Sequence, residues 1–209
     1  MSGTARTDSW RRARNSQEFA WDERSSSNSP SSAHATLVEA TDVIGDRWGV
    51  TPDETRRRYP CDLIVPDLVL QAWRGVTVEA DPEQVWLWVK QIRLAPYSYD
   101  WIDNLGRRSP QRLCGIPDPV PGEPFTVAMG GHHFGHVLTV APGEQLTGRI
   151  MGAVMSYVLV PVGSTTRLLL KVVTSRGRLT APLLSVGDLV MARGQLLNFA
   201  RLAELTAAS

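Results

Sequence analysis

Cysteine is scarce in this sequence: Cys61 and Cys114 are the two cysteines among 209 residues. They lie far apart and match no metal-binding or redox spacing, so zinc, redox-pair and iron–sulfur sites have no support. No apolar run approaches the roughly 18 residues that a membrane span requires. The N-terminal stretch MSGTARTDSWRRARN also lacks the apolar core of a secretory signal. These absences favour a reducing, cytoplasmic setting.

The sequence also has little excess of charge of either sign. Lys and Arg total 22 against 21 Asp and Glu, which gives a net charge of +1 and no general electrostatic case for nucleic acid or an anionic membrane. The sequence contains no serine nucleophile elbow and no phosphate-cradling glycine loop, so hydrolase and nucleotide-binding functions have no support. We expect no cofactor and no bound metal, and the oligomeric state stays open.

The N-terminal residues 1–38 differ from the rest of the chain. They contain the Ser-rich stretch SSSNSPSSA and, before it, mixed charges without a steady apolar period. We predict a disordered tail. The alternative is a short helix that docks on a partner or a membrane surface through Trp10, Arg11, Arg12, Arg14, Phe19 and Trp21. The apolar content of 43% is enough for one buried domain, which we place at residues 39–209.

Local patterns predict the order of elements in this domain. Thr51 before Pro52 predicts the cap of a short helix, which an extended arm follows. In AWRGVTVEA, residues 76, 78 and 80 are apolar and alternate with Gly75, Thr77 and Glu79, as in a half-buried strand. Asp81, Pro82 and Gln84 then predict an N-cap, a first-turn proline and a capping box.

The second half of the domain reads as hairpins followed by one long helix. The apolar segments FTVAM, HFGHVLTV, QLTGRIM, YVLVPV and TTRLLLKVVT are separated by glycine-rich turns. From about Ala181 to Ala208 an apolar stripe at helical spacing predicts a terminal helix; its members are Leu183, Val186, Val190, Leu197, Ala200 and Ala203. This order predicts an α+β fold in which a curved antiparallel sheet wraps around the C-terminal helix.

Several segments carry a resemblance to a known family. In chain order they are WGVTPDE, YPCDLIVP, RGVTVEADPEQVWLWVKQ, YSYDWIDN, HVLTVAPGEQL and TTRLLL. The sequence resembles the SRPBCC superfamily, with the START and Bet v 1-like helix-grip fold, and within it the bacterial polyketide cyclase/dehydrase-like branch. The resemblance covers roughly residues 46–205, and YSYD is its more specific mark.

The resemblance implies a cavity between the sheet and the terminal helix. It also implies that the domain binds an apolar or aromatic small molecule, as a carrier or sensor. Two alternatives stay open: a polyketide cyclase or dehydratase-like enzyme, which would need a buried acid/base pair, and a protein-interaction module, which a cavity filled by large side chains would favour.

Two groups of side chains are candidates for the ligand site. Tyr97, Tyr99, Asp100 and Trp101 could orient a polar atom of the ligand, and burial would raise the pKa of Asp100 toward a useful range. The same residues could equally be structural, with Asp100 capping a helix that starts at Trp101.

The second group lies in the segment that contains His132, His133 and His136. On a strand, residues four apart are separated by roughly 13 Å at about 3.3 Å per residue, too far for His132 and His136 to share a metal ion. Phe134 and His136 are candidates for the pocket lining, and surface positions are the alternative. Arg167 could pair with an acidic ligand inside the cavity, but a solvated outer face is the favoured place for it.

Overall fold

A seven-stranded sheet and a 27-residue C-terminal helix organise the protein. The computed structural model describes residues 46–65, 68, 70–98, 106, 108–128, 131–175 and 181–209, and for 181–190 it describes the backbone alone. The predicted tail, Tyr99, Asp100, Trp101 and the helix expected after them lie outside the described residues.

The strands pair in the order β1-β2-β7-β6-β5-β4-β3. All neighbours are antiparallel except the two-residue β1, which runs parallel to β2. The strands are β1 Arg47–Trp48, β2 Leu70–Val78, β3 Pro124–Ala128, β4 His132–Ala141, β5 Gln145–Ile150, β6 Ala153–Val162 and β7 Thr165–Thr174. The helices are α1 Pro52–Arg56, α2 Pro82–Val89 and α3 Ala181–Ala207, with 3₁₀ turns at Pro60–Leu63 and Lys90–Arg93. The predicted α+β helix-grip class is confirmed.

The starts of helices α1 and α2 test the predictions made from local sequence patterns. Thr51 caps α1, and its hydroxyl and the Glu54 carboxylate form a reciprocal capping box. Helix α2 begins at Pro82 as predicted, but the capping box expected there is wrong, because the Asp81 side chain makes no cap hydrogen bond. The amide of Gln84 donates instead to the backbone carbonyl of Asp81, at 3.0 Å.

The inner face of the sheet packs against α2 and the C-terminal half of α3. Alternation along the strands puts Leu146, Tyr157 and Leu170 in one row on this face. Across from them α3 buries Leu196 and Phe199. The predicted stripe is wrong at Leu197, which is 45% exposed, because the buried side of α3 is centred one residue earlier.

The outer face of the sheet carries a second core. Residues 59–65 lie over it, and Tyr59, Cys61 and Val65 are buried there against Trp73 and Leu169. The alternation predicted for residues 76–80 is confirmed, since 76, 78 and 80 are buried and 77 and 79 exposed. Residues 72–75 are buried on both faces, because the arm that was expected to be extended folds back over the sheet.

None of the helices in the described part of the chain has the length and apolarity needed to cross a membrane.

Candidate functional site

An aromatic cluster fills the inner core beneath the C-terminal half of α3. The Tyr97 ring lies 5.2 Å from Phe199 and 6.4 Å, edge-on, from Trp88. Tyr157 continues the cluster, 6.5 Å from Phe199 and 6.4 Å from Phe125. All five side chains are almost fully buried. This half of the space between sheet and helix is therefore occupied by the protein's own side chains.

Tyr97 has an unusual backbone conformation at the centre of this cluster. Its φ angle is +57°, a region that a bulky side chain enters at a cost of about 1–3 kcal/mol. The surroundings hold it there: its hydroxyl accepts from Gln91 Nε2 at 3.0 Å, and its amide donates to Ser109 Oγ at 3.3 Å. This backbone conformation depends on these neighbours, and the strain marks residue 97 as a candidate functional position.

Two amide side chains of α3 hold the same segment from the other side. Gln195 Nε2 donates to the carbonyl of Pro96, and Asn198 Nδ2 donates to the carbonyls of Tyr97 and Ser98, at 2.9 and 3.3 Å. Gln195 is also the acceptor for the hydroxyl of Tyr157. Residues 95–98, which we call the latch segment, are thus fastened to the helix by hydrogen bonds as well as by ring packing.

Not all apolar side chains of the inner face are as deeply buried as the aromatic cluster. Ala153 pairs with Thr174, the last residue of β7, and α3 starts at Ala181. At the other end of α3 the Glu204 carboxylate accepts from the amide of Glu79. Four apolar side chains of the inner face are only half-buried. We call them the inner strip: Val140, Ile150, Ala153 and Met155.

Tyr157 stands at the border between the filled half and the inner strip. Its hydroxyl donates to Gln195, and the sulfur of Met155 lies 3.7 Å from the same oxygen. Arg74 lies in the same row, because it pairs with Leu170, which pairs with Tyr157. The Arg74 guanidinium is buried, and its Nη1 donates to the carbonyls of Asp46 and Trp73 at 2.6 and 2.8 Å.

The predicted site residues that the structure describes lie on different faces of the sheet. Tyr97 lies in the inner core, whereas Tyr99, Asp100 and Trp101 lie outside the described residues. Val137 belongs to the inner core, so its neighbour His136 faces outward by strand alternation, opposite Pro124 and Arg149. His136 is exposed and Phe134, on the same outer face, is half-buried. Arg167 also faces outward, where it forms a two-bonded ion pair with Glu54.

The side chains that the structure describes include no buried carboxylate and no buried histidine. Among them, no three His, Cys, Asp or Glu residues lie together as metal ligands would. The inner face, as far as it is described, therefore offers hydroxyl, amide and guanidinium groups, which suit hydrogen bonding to a ligand better than proton transfer.

The buried lysine of the outer face, Lys171, stabilises the packing of that face. Lys171 Nζ lies 2.5 Å from Asp62 Oδ1 and is stacked over the rings of Trp73 and Tyr59 at 4.9 and 5.5 Å. Burial raises the pKa of the Cys61 thiol to about 11 and that of Tyr59 to about 12. Both groups therefore stay protonated and unreactive near neutral pH.

An open groove lies beside the C-terminal end of α3. It has a volume of about 350 Å³. Four apolar residues and four polar residues share its lining: Trp88, Leu113, Leu202 and Leu205, and Gln111, Arg112, Thr206 and Ser209. Leu205 is 57% exposed.

Comparison with known proteins gives likenesses of fold. No protein-family model matches the sequence, and no curated protein matches it. Among solved structures, a protein from Mesorhizobium loti matches with a TM-score of 0.47 and 17% identity, over 66% of this chain and 98% of the other.

Two further neighbours have descriptive names. An AHSA1-like protein from Aeromonas hydrophila matches with a TM-score of 0.43 and 17% identity, over 67% of this chain and 96% of the other. A Polyketide_cyc-like protein from Corynebacterium glutamicum matches with a TM-score of 0.42 and 14% identity, over 68% and 95%. At these identities the likenesses concern the fold alone.

The sequence interpretation missed the polar residues around the latch segment. Gln91, Tyr157, Gln195 and Asn198 look ordinary in the sequence, since amides and tyrosines are common on helices and strands. One signal was present: Gln195 sits beside Leu196 and one turn before Phe199, inside the apolar side of α3. A glutamine in such a position needs a buried hydrogen-bond partner.

Proposed function

We propose that the protein binds an apolar or aromatic small molecule between the inner face of the sheet and the N-terminal half of α3, as a carrier or sensor. The inner strip carries this proposal. Its four apolar side chains are half-buried on the same face that buries Leu146, Tyr157 and Leu170, and removing such surface from water is favourable by about 25 cal/mol per Å².

The polar groups beside the inner strip support a binding function. The Tyr157 hydroxyl and the Gln195 amide lie at its border, and a mostly apolar pocket with a few polar groups at one end is the usual form of a small-molecule site. A cyclase or dehydratase would need an acid/base pair at the inner face, and the described carboxylates and histidines are not buried. Binding without chemistry is therefore the function we propose.

Native mass spectrometry of freshly purified protein, with extraction of any bound compound, tests the proposal. We expect an apolar adduct in wild-type protein and its loss in Met155→Trp, because the larger ring fills the inner strip. Leu197→Trp is the matched control, since it places the same ring at an exposed position of α3, and it should keep the adduct.

A second candidate is a protein-interaction module, and one observation favours it. The C-terminal half of the inner core is filled by large side chains, and an open groove with both apolar and polar walls lies beside it. A clean mass without adduct, together with no thermal shift across a panel of apolar compounds, would contradict the ligand-binding proposal and favour a protein partner.

A further inference from the structure

We propose that Gln195 is a positioning residue that couples the inner strip to the latch segment, residues 95–98. This inference rests on the proposed function, because the coupling matters when a ligand lies on the inner strip.

The geometry of Gln195 gives the first step. One buried amide joins two elements: its Oε1 accepts from Tyr157 on β6, and its Nε2 donates to the carbonyl of Pro96 in the latch segment. The two atoms belong to one rigid planar group, so a rotation that loses one bond also disturbs the other. A displacement of the Tyr157 hydroxyl therefore disturbs the hydrogen bond between Gln195 and the carbonyl of Pro96.

The position of Tyr157 gives the second step. Its hydroxyl is 3.7 Å from the Met155 sulfur, and Met155 belongs to the inner strip. A ligand that carries a hydrogen-bond acceptor and rests on Met155 has the Tyr157 hydroxyl within reach. If that hydroxyl donates to the ligand, the buried Gln195 Oε1 loses its donor, which is unfavourable unless the amide reorients.

The strain at Tyr97 gives the third step. The latch segment includes a residue at φ +57°, a conformation that persists only while its surroundings hold it. Gln195 and Asn198 supply hydrogen bonds to three successive carbonyls, those of residues 96, 97 and 98. Loss of the Gln195 bond therefore weakens one of the restraints on a segment that is already strained.

Hydrogen exchange of the ligand-free protein tests the coupling directly. We expect Tyr157→Phe to raise amide exchange in the latch segment by about tenfold, equivalent to the loss of one buried hydrogen bond. The substitution keeps the ring that packs on Phe199, so a loss of ring packing would not explain a change in exchange at residues 95–98. Gln195→Met, which keeps the side-chain length and removes both bonds, should raise exchange at least as much.

The matched control is Thr147→Val, which removes another fully buried hydroxyl. Thr147 pairs with Ser156 on the outer face, at 2.8 Å, and has no bond to the latch segment. Unchanged exchange at residues 95–98 in Tyr157→Phe, or an equal rise in Thr147→Val, would overturn the coupling.

A pair of fluorescent probes separates this inference from the proposed function. Anilinonaphthalene sulfonate carries an acceptor and should raise exchange in the latch segment, whereas N-phenyl-1-naphthylamine lacks the sulfonate and should not. Failure of both probes to bind would contradict the proposed function and leave the result for the variants standing. Binding that Met155→Trp abolishes, without any change in exchange, would overturn the coupling alone.

Discussion

At the scale of single residues, Gly148 shows how closely the inner core is packed. A Cβ atom built on Gly148 would lie 2.1 Å from the ring of Phe125, which is far inside van der Waals contact. Phe125 itself is 1% exposed and packs on Tyr157, so the ring has little room to retreat. The missing side chain of residue 148 is what lets the ring lie flat on β5.

We expect Gly148→Ala to destabilise the protein by about 1–3 kcal/mol, as overpacking of a core does. Urea unfolding at neutral pH measures the change. Gly143→Ala is a poor control because residue 143 has a φ of +80°, so we choose Ala153→Gly, which leaves the Phe125 ring untouched. Gly148→Ala with wild-type stability would show that the Phe125 ring can move aside.

At the scale of elements, the short helix α1 is fixed to the sheet through charge. Arg167 on β7 donates from Nε and Nη2 to the two oxygens of Glu54, at 2.8 and 2.9 Å. Mainly because of this hydrogen bonding, the pKa of Glu54 lies below its ordinary value of 4.5. The contribution of the pair to stability is therefore present above about pH 4.5 and is lost as the pH falls through the lower, folded-state pKa.

We expect Glu54→Gln to be less stable than wild type at pH 7 and to lose less stability on acidification below pH 4.5. Denaturant unfolding at a series of pH values measures both effects. Glu83→Gln, which removes an exposed carboxylate from α2, should keep the wild-type pH profile. Parallel profiles for Glu54→Gln and wild type would contradict the role of the ion pair.

The same element shows where prediction from sequence succeeds and where it ends. The cap of α1, the start of α2 and the bounds of α3 follow from neighbouring residues, because caps and periodicity are local. The folding of residues 59–65 over the outer face depends on contacts with residues about 100 positions away, such as Cys61 with Ser156. The burial of Lys171 depends on that same arm, so neither could be predicted from TTRLLLKVVT alone.

At the scale of the whole molecule, one sheet supports two cores. Leu169 and Leu170 are adjacent in β7, and each is 1% exposed, but Leu169 belongs to the outer core and Leu170 to the inner core. Because both cores share the backbone of β7, we expect them to unfold together.

We expect Leu169→Ala and Leu170→Ala each to lower stability by about 2–5 kcal/mol while keeping a single transition. Tryptophan fluorescence and far-ultraviolet circular dichroism, followed through urea unfolding, should give coincident curves for both variants. Two separated transitions in Leu169→Ala would show that the arm over the outer face unfolds by itself.

The candidate site as a whole was less predictable than the fold. Tyr97 was named from its motif, but its strained backbone and its amide partners arise from the packing of α3 across the latch segment. Phe134 and His136 were named for their residue types, while their place is decided by strand alternation from Val137. The half-buried state of Met155 depends on how far α3 covers the sheet, which no local pattern records.

The alternation along β7 also limits which changes of sequence the fold can tolerate. The strand's odd-numbered residues from 169 to 173 face the arm on the outer side, and its even-numbered residues from 168 to 172 belong to the inner core. A codon gained or lost in the middle of β7 would exchange the two sets, putting Lys171 against α3 and a leucine beneath Asp62. We therefore expect the fold to tolerate changes of length in turns such as the one at Gly163 better than within β7.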